Sequence, residues 1–143
     1  MEREETSRVL AEWIAASRAL VAFSGAGLST ESGLPDFRSR KGLWERYDPG
    51  ELATEEALWR RYDRFREFYS LRLGSLQDAE PNEGHRVLAA WEREGILRGV
   101  VTQNVDGLHQ AAGSREVAEL HGRLESVRCA SCGRGASPEA FRE

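Results

Sequence analysis

Residues 23–38 of the chain read FSGAGLSTESGLPDFR, and this stretch gives the first indication of the fold. It continues a short apolar run, residues 19–23, which predicts a buried parallel strand. The Gly-Ala-Gly that follows allows close backbone approach, and a helix beginning near Leu28 would offer free amide groups to a phosphate. A dinucleotide-binding turn usually has a third glycine where this chain has Thr30. An ordinary strand-to-helix turn therefore stays open as an alternative.

The second half of this stretch favours a ligand-binding loop. Pro35 stiffens the chain, and Asp36 and Arg38 place opposite charges on either side of the aromatic Phe37. Arg38 could hold a phosphate, and Phe37 could cover a flat ring. A purely structural turn has no need of this set of side chains.

Length and composition are typical of one compact domain, or of a domain with a fragment of a second. The chain has 143 residues, 40% of them hydrophobic, and a net charge of −4. No segment approaches the roughly 20 apolar residues of a membrane-spanning helix, and the acidic N-terminus is unlike a signal peptide. Without a basic cluster, nucleic-acid binding is not expected. We expect a cytoplasmic protein that does not associate with a membrane.

Hydrophobic periodicity predicts an α/β sheet with a helical insertion near residues 40–80. The predicted helices cover residues 5–18, with Val9, Leu10, Trp13 and Ile14 on one face, most of residues 43–76, and a segment that ends at Gly95. The predicted strands cover residues 19–23, 96–102, 117–120 and 124–129. Thr54 and Asn82 are the expected N-caps of two helices. Ligands bind such sheets in the loops that follow the strands.

A polar loop, TQNVDGLH at residues 102–109, ends the second long strand. Gln103, Asn104 and Asp106 offer hydrogen-bond donors and acceptors but no strong nucleophile. This set fits the recognition of sugars and carboxamides better than acyl-enzyme chemistry. Asp106 equally fits the start of a helix, and both roles are compatible. His109 is expected to be a packed or capping histidine.

A single histidine, His121, stands between a predicted short strand and Gly122. Its imidazole could face a cleft, where a neutral ring suits a general base near neutral pH. A structural role is the alternative for any lone histidine.

The only two cysteines of the chain, Cys129 and Cys132, form a CxxC pattern. This pattern supplies half of a tetrahedral zinc site, since a closed structural site needs four ligands. No second pair follows in the sequence.

Together, GAGLSTESGLPDFR, TQNVDGLH, LHG and CASCG resemble, in order and spacing, the motifs of the sirtuins, the NAD-dependent protein deacylases. The resemblance covers about the first half of that family's catalytic domain. It implies a Rossmann-like parallel sheet, incomplete here, with a helical insertion and the first half of a small zinc-ribbon module. The implied parts are an NAD-binding part (1–40 and 80–125), the insertion (41–79) and the truncated start of the zinc module (126–143).

The resemblance also implies an activity and roles for individual residues. NAD would be cleaved to nicotinamide and O-acyl-ADP-ribose, with an acyl-lysine protein or peptide as the second substrate. His121 would be the general base, and Cys129 and Cys132 would be two of four zinc ligands. The residues expected to bind NAD are Gly25, Ala26, Gly27, Asp36, Phe37, Arg38, Gln103, Asn104 and Asp106.

Tyr69 and Arg72 lie three positions apart on one face of the predicted insertion helix. A Tyr-x-x-Arg at this place resembles the sirtuins that remove succinyl and malonyl groups. Arg72 could bind the distal carboxylate in a bidentate contact, and Tyr69 could add a hydrogen bond. The alternative is a core stripe beside a surface arginine, the stripe being Phe65, Phe68, Tyr69 and Leu73.

Three classes of function stay open at this point: a deacylase, a shortened chain that binds a peptide or nucleotide without turnover, and a nicotinamide dehydrogenase. Thr30 and the His121-Gly122 pair count against the dehydrogenase.

The sequence stops before the later strands of a sirtuin, so either the gene product is short or the sequence is part of a longer chain. A sheet that ended here would expose an apolar edge and face, so we expect it to be unstable or to pair with another chain, for example by self-association.

Overall fold

The computed structural model describes residues 2–40 and 42–139. Its centre is a parallel sheet formed by β1 (Leu20–Ser24), β2 (Leu97–Thr102) and β3 (Val117–Glu119). The strands lie in the order β1–β2–β3. Because Thr102 pairs with both Ser24 and Glu119, all three strands end at the same edge of the sheet. The predicted α/β architecture with a parallel sheet is confirmed.

The sheet is accompanied by six α-helices and two 3-10 helices in the described part of the chain. The α-helices are α1 (Glu2–Ala16), α2 (Pro49–Leu52), α3 (Glu55–Arg60), α4 (Tyr62–Leu76), α5 (Glu83–Arg93) and α6 (Leu108–Ala111), and the 3-10 helices are Ala26–Ser32 and Leu43–Glu45. Residues 43–76 therefore form several helices that pack against one another. One break lies at Thr54, which is extended (φ −128°) and accepts a hydrogen bond from the Ala57 amide. This predicted N-cap is confirmed.

Helix α5 begins and ends where the sequence predicts. The Asn82 side-chain oxygen accepts a hydrogen bond from the backbone amide of His85. The backbone amide of Asn82 donates in turn to Nδ1 of His85, which completes a capping box. Gly95 follows the helix with a φ of 76°, a conformation that favours glycine. The Asn82 side chain also donates to the Leu28 carbonyl at 2.7 Å, so this cap ties α5 to the loop after β1.

The outer face of β1 and part of α1 differ from the expectation of burial. Val21 and Phe23 are 53% and 66% exposed, so β1 is not buried on both faces. The cause is its position at the edge of the sheet, with one face uncovered by the described residues. On α1 the predicted apolar face is divided, because Val9 and Ile14 are half-buried whereas Leu10 and Trp13 are exposed. Self-association through the exposed edge stays a prediction.

The predicted strand at residues 124–129 is largely wrong. Only Val127–Arg128 forms a strand, β4, and it pairs antiparallel with β5 (Gly135–Ala136) in a separate small sheet. Leu124 instead donates its amide to the Val105 carbonyl at 2.9 Å, which holds the chain against the polar loop after β2. Residues 140–143 of the predicted zinc module lie outside the described residues, as do Met1 and Lys41. No described helix is long and apolar enough to cross a membrane.

Candidate functional site

A cavity of about 640 Å³ lies where β1 and β2 end, between the loops that follow them and helix α4. This is the edge at which parallel α/β sheets bind ligands. The side chains that border it come from both motif loops, from α4 and from the turn after β3, and include Phe37, Tyr69, Arg72, Gln103, Asn104, Asp106 and His121.

The helix predicted to begin near Leu28 begins two residues earlier and is a 3-10 helix, Ala26–Ser32. The segment is rich in glycine, serine and threonine, which are poor formers of α-helix interiors. Thr30 donates its hydroxyl to the Gly27 carbonyl at 2.8 Å, and such local bonds compete with α-helical pairing. The helix ends at Gly33 with a φ of 83°, and the chain turns there toward Pro35 and Phe37.

A buried hydrogen-bond network joins the two motif loops. Ser29 is 2% exposed, and its hydroxyl donates to Oδ2 of Asp106 at 2.7 Å. The Asn104 amide group donates to the Ser29 hydroxyl and to the Gly25 carbonyl, each at 3.1 Å. Oδ1 of Asp106 accepts from the Leu108 amide at 3.0 Å, so Asp106 also starts α6, as predicted. Sequence reasoning did not single out Ser29, because an uncharged serine among several others carries no distinguishing signal.

A second polar cluster lies behind this network. The Ser24 hydroxyl donates to Oγ1 of Thr102 at 2.8 Å and lies 2.8 Å from Nε2 of His109. The His109 ring is 1% exposed and stands 5.0 Å from the fully buried ring of His85. Burial lowers the pKa of both histidines, and each of the two also has one ring nitrogen without a partner among the described residues. His109 is therefore a packed residue, as predicted.

Arg72 places its guanidinium group among three aromatic rings. Its Cζ atom lies 5.0 Å from the centre of the Phe37 ring, and the rings of Phe68 and Tyr69 follow at 5.8 and 5.9 Å. Burial lowers the pKa of Arg72, whereas the nearby Tyr69 and Asp106 raise it. None of the ion pairs among the described residues involves Arg72. A partly desolvated guanidinium group that forms no direct ion pair with these residues is suited to receive an anionic group.

The remaining residues predicted to bind a cofactor divide into two groups. Ala26 and Gln103 border the cavity, and Gly25 lies next to the Gln103 side chain. Asp36 instead accepts hydrogen bonds at Oδ1 from the Ser39 hydroxyl (2.6 Å) and amide (3.3 Å). It thereby shapes its own loop. Gly27 and Arg38 are exposed and do not border the cavity.

His121 lies at the junction of two cavities. A second cavity of about 610 Å³ adjoins the first, on the side of α4 and the small antiparallel sheet. The residues common to both are Tyr69, Arg72, Val105, His121 and Leu124. The imidazole is exposed and stands in a turn that ends at Gly122, with a φ of 72°. A base at this junction can act on groups that enter from either side.

Cys129 and Cys132 are exposed free thiols in a tight turn. The turn is closed by the Gly133 amide, which donates to the Cys129 carbonyl at 2.9 Å. The backbone amide of Cys132, followed by that of Ser131, lowers the pKa of the Cys129 thiol. The described residues contain no group of three or more side chains that could hold a metal ion.

Solved structures that resemble this arrangement include complexes of Sir2 proteins. One is a Sir2 homolog bound to NAD, with 45% sequence identity and a TM-score of 0.82 over 91% of this chain and 51% of that chain. The Rossmann-like α/β fold expected from the motifs is thus confirmed.

Sequence relatives agree with the structural ones. An NAD-dependent protein deacetylase of Geobacillus kaustophilus is 59% identical over 87% of this chain and 52% of its own length. An NAD-dependent protein deacylase of Aeropyrum pernix is 52% identical over 90% of this chain and 51% of its own length. The chain spans about half the length of these curated relatives. The model of the Sir2 family matches residues 25–143, and the chain belongs to that family.

Proposed function

We propose that this chain carries the NAD-binding and catalytic part of an NAD-dependent protein-lysine deacylase. The observation that carries the proposal is the position of His121 at the junction of two cavities. One cavity is bordered by the two motif loops, and the other is bordered by helix α4 and the small sheet. The first suits a nucleotide and the second suits an acylated side chain. The names of the Geobacillus and Aeropyrum relatives support the same activity.

The residues of the first cavity fit the reacting end of NAD. The amide of Asn104 and the carboxylate of Asp106 are held in place by Ser29, so they are preorganised to bind a carboxamide and ribose hydroxyls. Phe37 offers a flat aromatic face next to them, and Gln103 adds an amide. Bound NAD would supply the nicotinamide–ribose bond that is cleaved. His121 would accept the proton of a ribose hydroxyl at its imidazole nitrogen.

The proposal is tested by nicotinamide release from NAD in the presence of an acetyl-lysine peptide. We expect release to depend on both substrates and to be lost in His121→Ala, because no other histidine is exposed among the described residues. Glu125→Ala, a change of an exposed residue four positions from His121 that borders neither cavity, is the control and should retain turnover. Stabilisation of the fold by NAD without any nicotinamide release would indicate a binding module instead.

We further propose that the site accepts acyl groups with a distal carboxylate, such as succinyl and malonyl. Arg72 borders both cavities, is surrounded by aromatic rings and lacks an ion-pair partner among the described residues. A carboxylate that enters from the second cavity would meet the guanidinium fork, and the Tyr69 hydroxyl could add a hydrogen bond. The packed aromatic rings support this arrangement because they keep Arg72 in place.

Substitution of Arg72 distinguishes this proposal from a packing role. We expect Arg72→Met to lower desuccinylation by about 10-fold or more relative to deacetylation, since a charge-assisted bidentate contact is lost. Arg64→Met on the same helix is the control. Arg64 borders neither cavity, and its ion pair with Glu51 is exposed to solvent. An equal loss of both activities would contradict a role in acyl recognition.

We propose that Cys129 and Cys132 are two of the four ligands of a structural zinc ion. Their tight turn and the backbone amides that favour the thiolate of Cys129 suit a thiolate ligand pair. Zinc content of the purified protein tests this proposal. We expect Cys129→Ser to lose bound zinc, whereas Ser131→Ala in the same turn should keep it. Equal zinc content in both variants would contradict it.

A further inference from the structure

We propose that Glu119 and Arg123 act together as a clamp that positions His121. Nε of Arg123 lies 3.0 Å from Oε1 of Glu119, and the two side chains bridge the turn that carries the imidazole. Glu119 and Arg123 are positioning residues in this proposal, since they act through His121. The effect on turnover rests on the proposed deacylase function, whereas the effect on the His121 ring does not.

The ring of His121 depends on its turn for its position. It is exposed and has no hydrogen-bond partner among the described residues. The backbone amide of Gly122 closes the turn with a long hydrogen bond of 3.4 Å to the Glu119 carbonyl. That distance is beyond the usual range for a strong backbone hydrogen bond. Something besides this bond is needed to hold the imidazole within the tolerance that general-base catalysis requires.

Backbone contacts fix the chain on both sides of the turn. The Leu120 amide donates to the Thr102 carbonyl, and the Leu124 amide donates to the Val105 carbonyl, each at 2.9 Å. Both acceptors belong to β2 or to the polar loop that follows it. Residues 121–123 lie between these two backbone contacts. The Glu119–Arg123 ion pair bridges this segment and therefore restricts its movement.

The clamp is attached to the second motif loop through a third residue. The Gln110 side chain on α6 donates to the same Oε1 atom of Glu119 at 3.0 Å. Arg123 also lies close to Gly107, where an added Cβ would be 4.0 Å from its Nε atom. The carboxylate thus has two donors from different segments, which fixes its orientation. The His121 turn and the loop that carries Asp106 are held in register by this arrangement.

Partial burial makes this ion pair different from the surface pairs of the chain. The side chains of Glu119 and Arg123 are 20% and 35% exposed, whereas those of Arg8 and Glu12 are 68% and 60% exposed. Exposed pairs contribute little because both ions are well solvated. The Arg8–Glu12 pair has the same spacing of four residues, so it offers a matched control for the loss of an ion pair.

The test compares Glu119→Gln and Arg123→Gln with the control variants Arg8→Gln and Glu12→Gln. We expect each clamp variant to lower kcat for nicotinamide release by about 10-fold with a smaller change in KM for NAD, since Asp106 keeps its own bonds to Ser29 and Leu108 whereas the His121 ring has none in the described part of the chain. The double reversal Glu119→Arg with Arg123→Glu should recover turnover relative to either single reversal, because Gln110 can present its carbonyl oxygen to an arginine. Equal kcat in clamp and control variants would overturn the proposal.

A second measurement keeps the proposal testable if the wild-type chain shows no turnover. The chain has three histidines, of which only His121 is exposed, so its ring signal can be identified by NMR. We expect the His121 ring signal to shift and broaden in Arg123→Gln but not in Arg8→Gln. An unchanged signal would overturn the clamp. Absence of turnover with a changed signal would count against the proposed function alone.

Discussion

The Ser29 hydroxyl donates a 2.7 Å hydrogen bond to the Asp106 carboxylate, and this bond joins loops that are 77 residues apart in the sequence. It links the loops after β1 and β2, and both residues border the cavity between those loops. Since Ser29 also accepts from the Asn104 side chain, one small hydroxyl organises two of the residues proposed to bind NAD. The site is therefore held by uncharged as well as charged groups.

Ser29→Ala should destabilise the fold and weaken NAD binding together. The substitution removes a donor to a carboxylate and an acceptor for Asn104, which we expect to cost about 1.5–3 kcal/mol in the free energy of unfolding. Urea denaturation measures this loss. Thr30→Ala is the neighbouring control, because its hydroxyl bond to Gly27 is exposed, and it should cost less than about 1 kcal/mol. Equal effects of both variants would argue against the network.

Gly42→Ala should displace the loop that carries Phe37. A Cβ atom at Gly42 would lie 2.6 Å from the backbone carbon of Phe37 and 2.8 Å from Oδ1 of Asp36. Because the nearest neighbour is backbone, relief requires movement of the loop, and we expect a loss of about 1–3 kcal/mol. NAD affinity measured by calorimetry should fall with it.

Gly74→Ala is the control for this substitution. Nothing lies within 4 Å of a Cβ atom at Gly74, in the last turn of α4. Alanine should stabilise the helix there by about 0.5–1 kcal/mol. If Gly42→Ala were as well tolerated as Gly74→Ala, the close approach described for the Phe37 loop would be wrong.

The buried histidine pair should make the fold less stable in mild acid. Burial lowers the pKa of His85 and His109. In mildly acidic solution the unfolded chain therefore binds more protons than the folded chain. Stability is therefore fully present above the ordinary histidine pKa of about 6.5 and should fall as the pH drops below it. Thermal unfolding followed between about pH 7.5 and about pH 5 measures the slope.

Variants assign this slope to its source. We expect His109→Gln to show a shallower fall of Tm with acid, because the neutral amide cannot take up the proton. Arg8→Gln, a change at an exposed residue of α1 that does not titrate in this range, should keep the wild-type slope. An unchanged slope in His109→Gln would exclude the buried pair as its cause.

Much of this structure could be predicted from local sequence signals. The α5 caps at Asn82 and Gly95 depend on neighbouring residues only, and both were predictable. The exposure of Val21 and Phe23 was not, because it depends on which elements cover the sheet. A helix near Leu28 was predictable, but its 3-10 form at Ala26–Ser32 was not, since side-chain bonds such as that of Thr30 compete with α-helical pairing there.

The candidate site shows the same division. Motif residues such as Asn104, Asp106 and His121 stood out by their chemistry, and the structure brings them to one cavity. Asp36 stood out equally but is engaged with Ser39, a contact that only the folded loop defines. The buried partners Ser29 and His85 carried no signal, because neutral polar groups acquire their roles through long-range contacts.

The acyl-transfer reaction itself is tested by mass spectrometry of the products formed from NAD and an acyl-lysine peptide. The proposed function predicts unmodified lysine, nicotinamide and an ADP-ribose that carries the acyl group, in equal amounts. Loss of the acyl group as a free carboxylate, with NAD left intact, would contradict it.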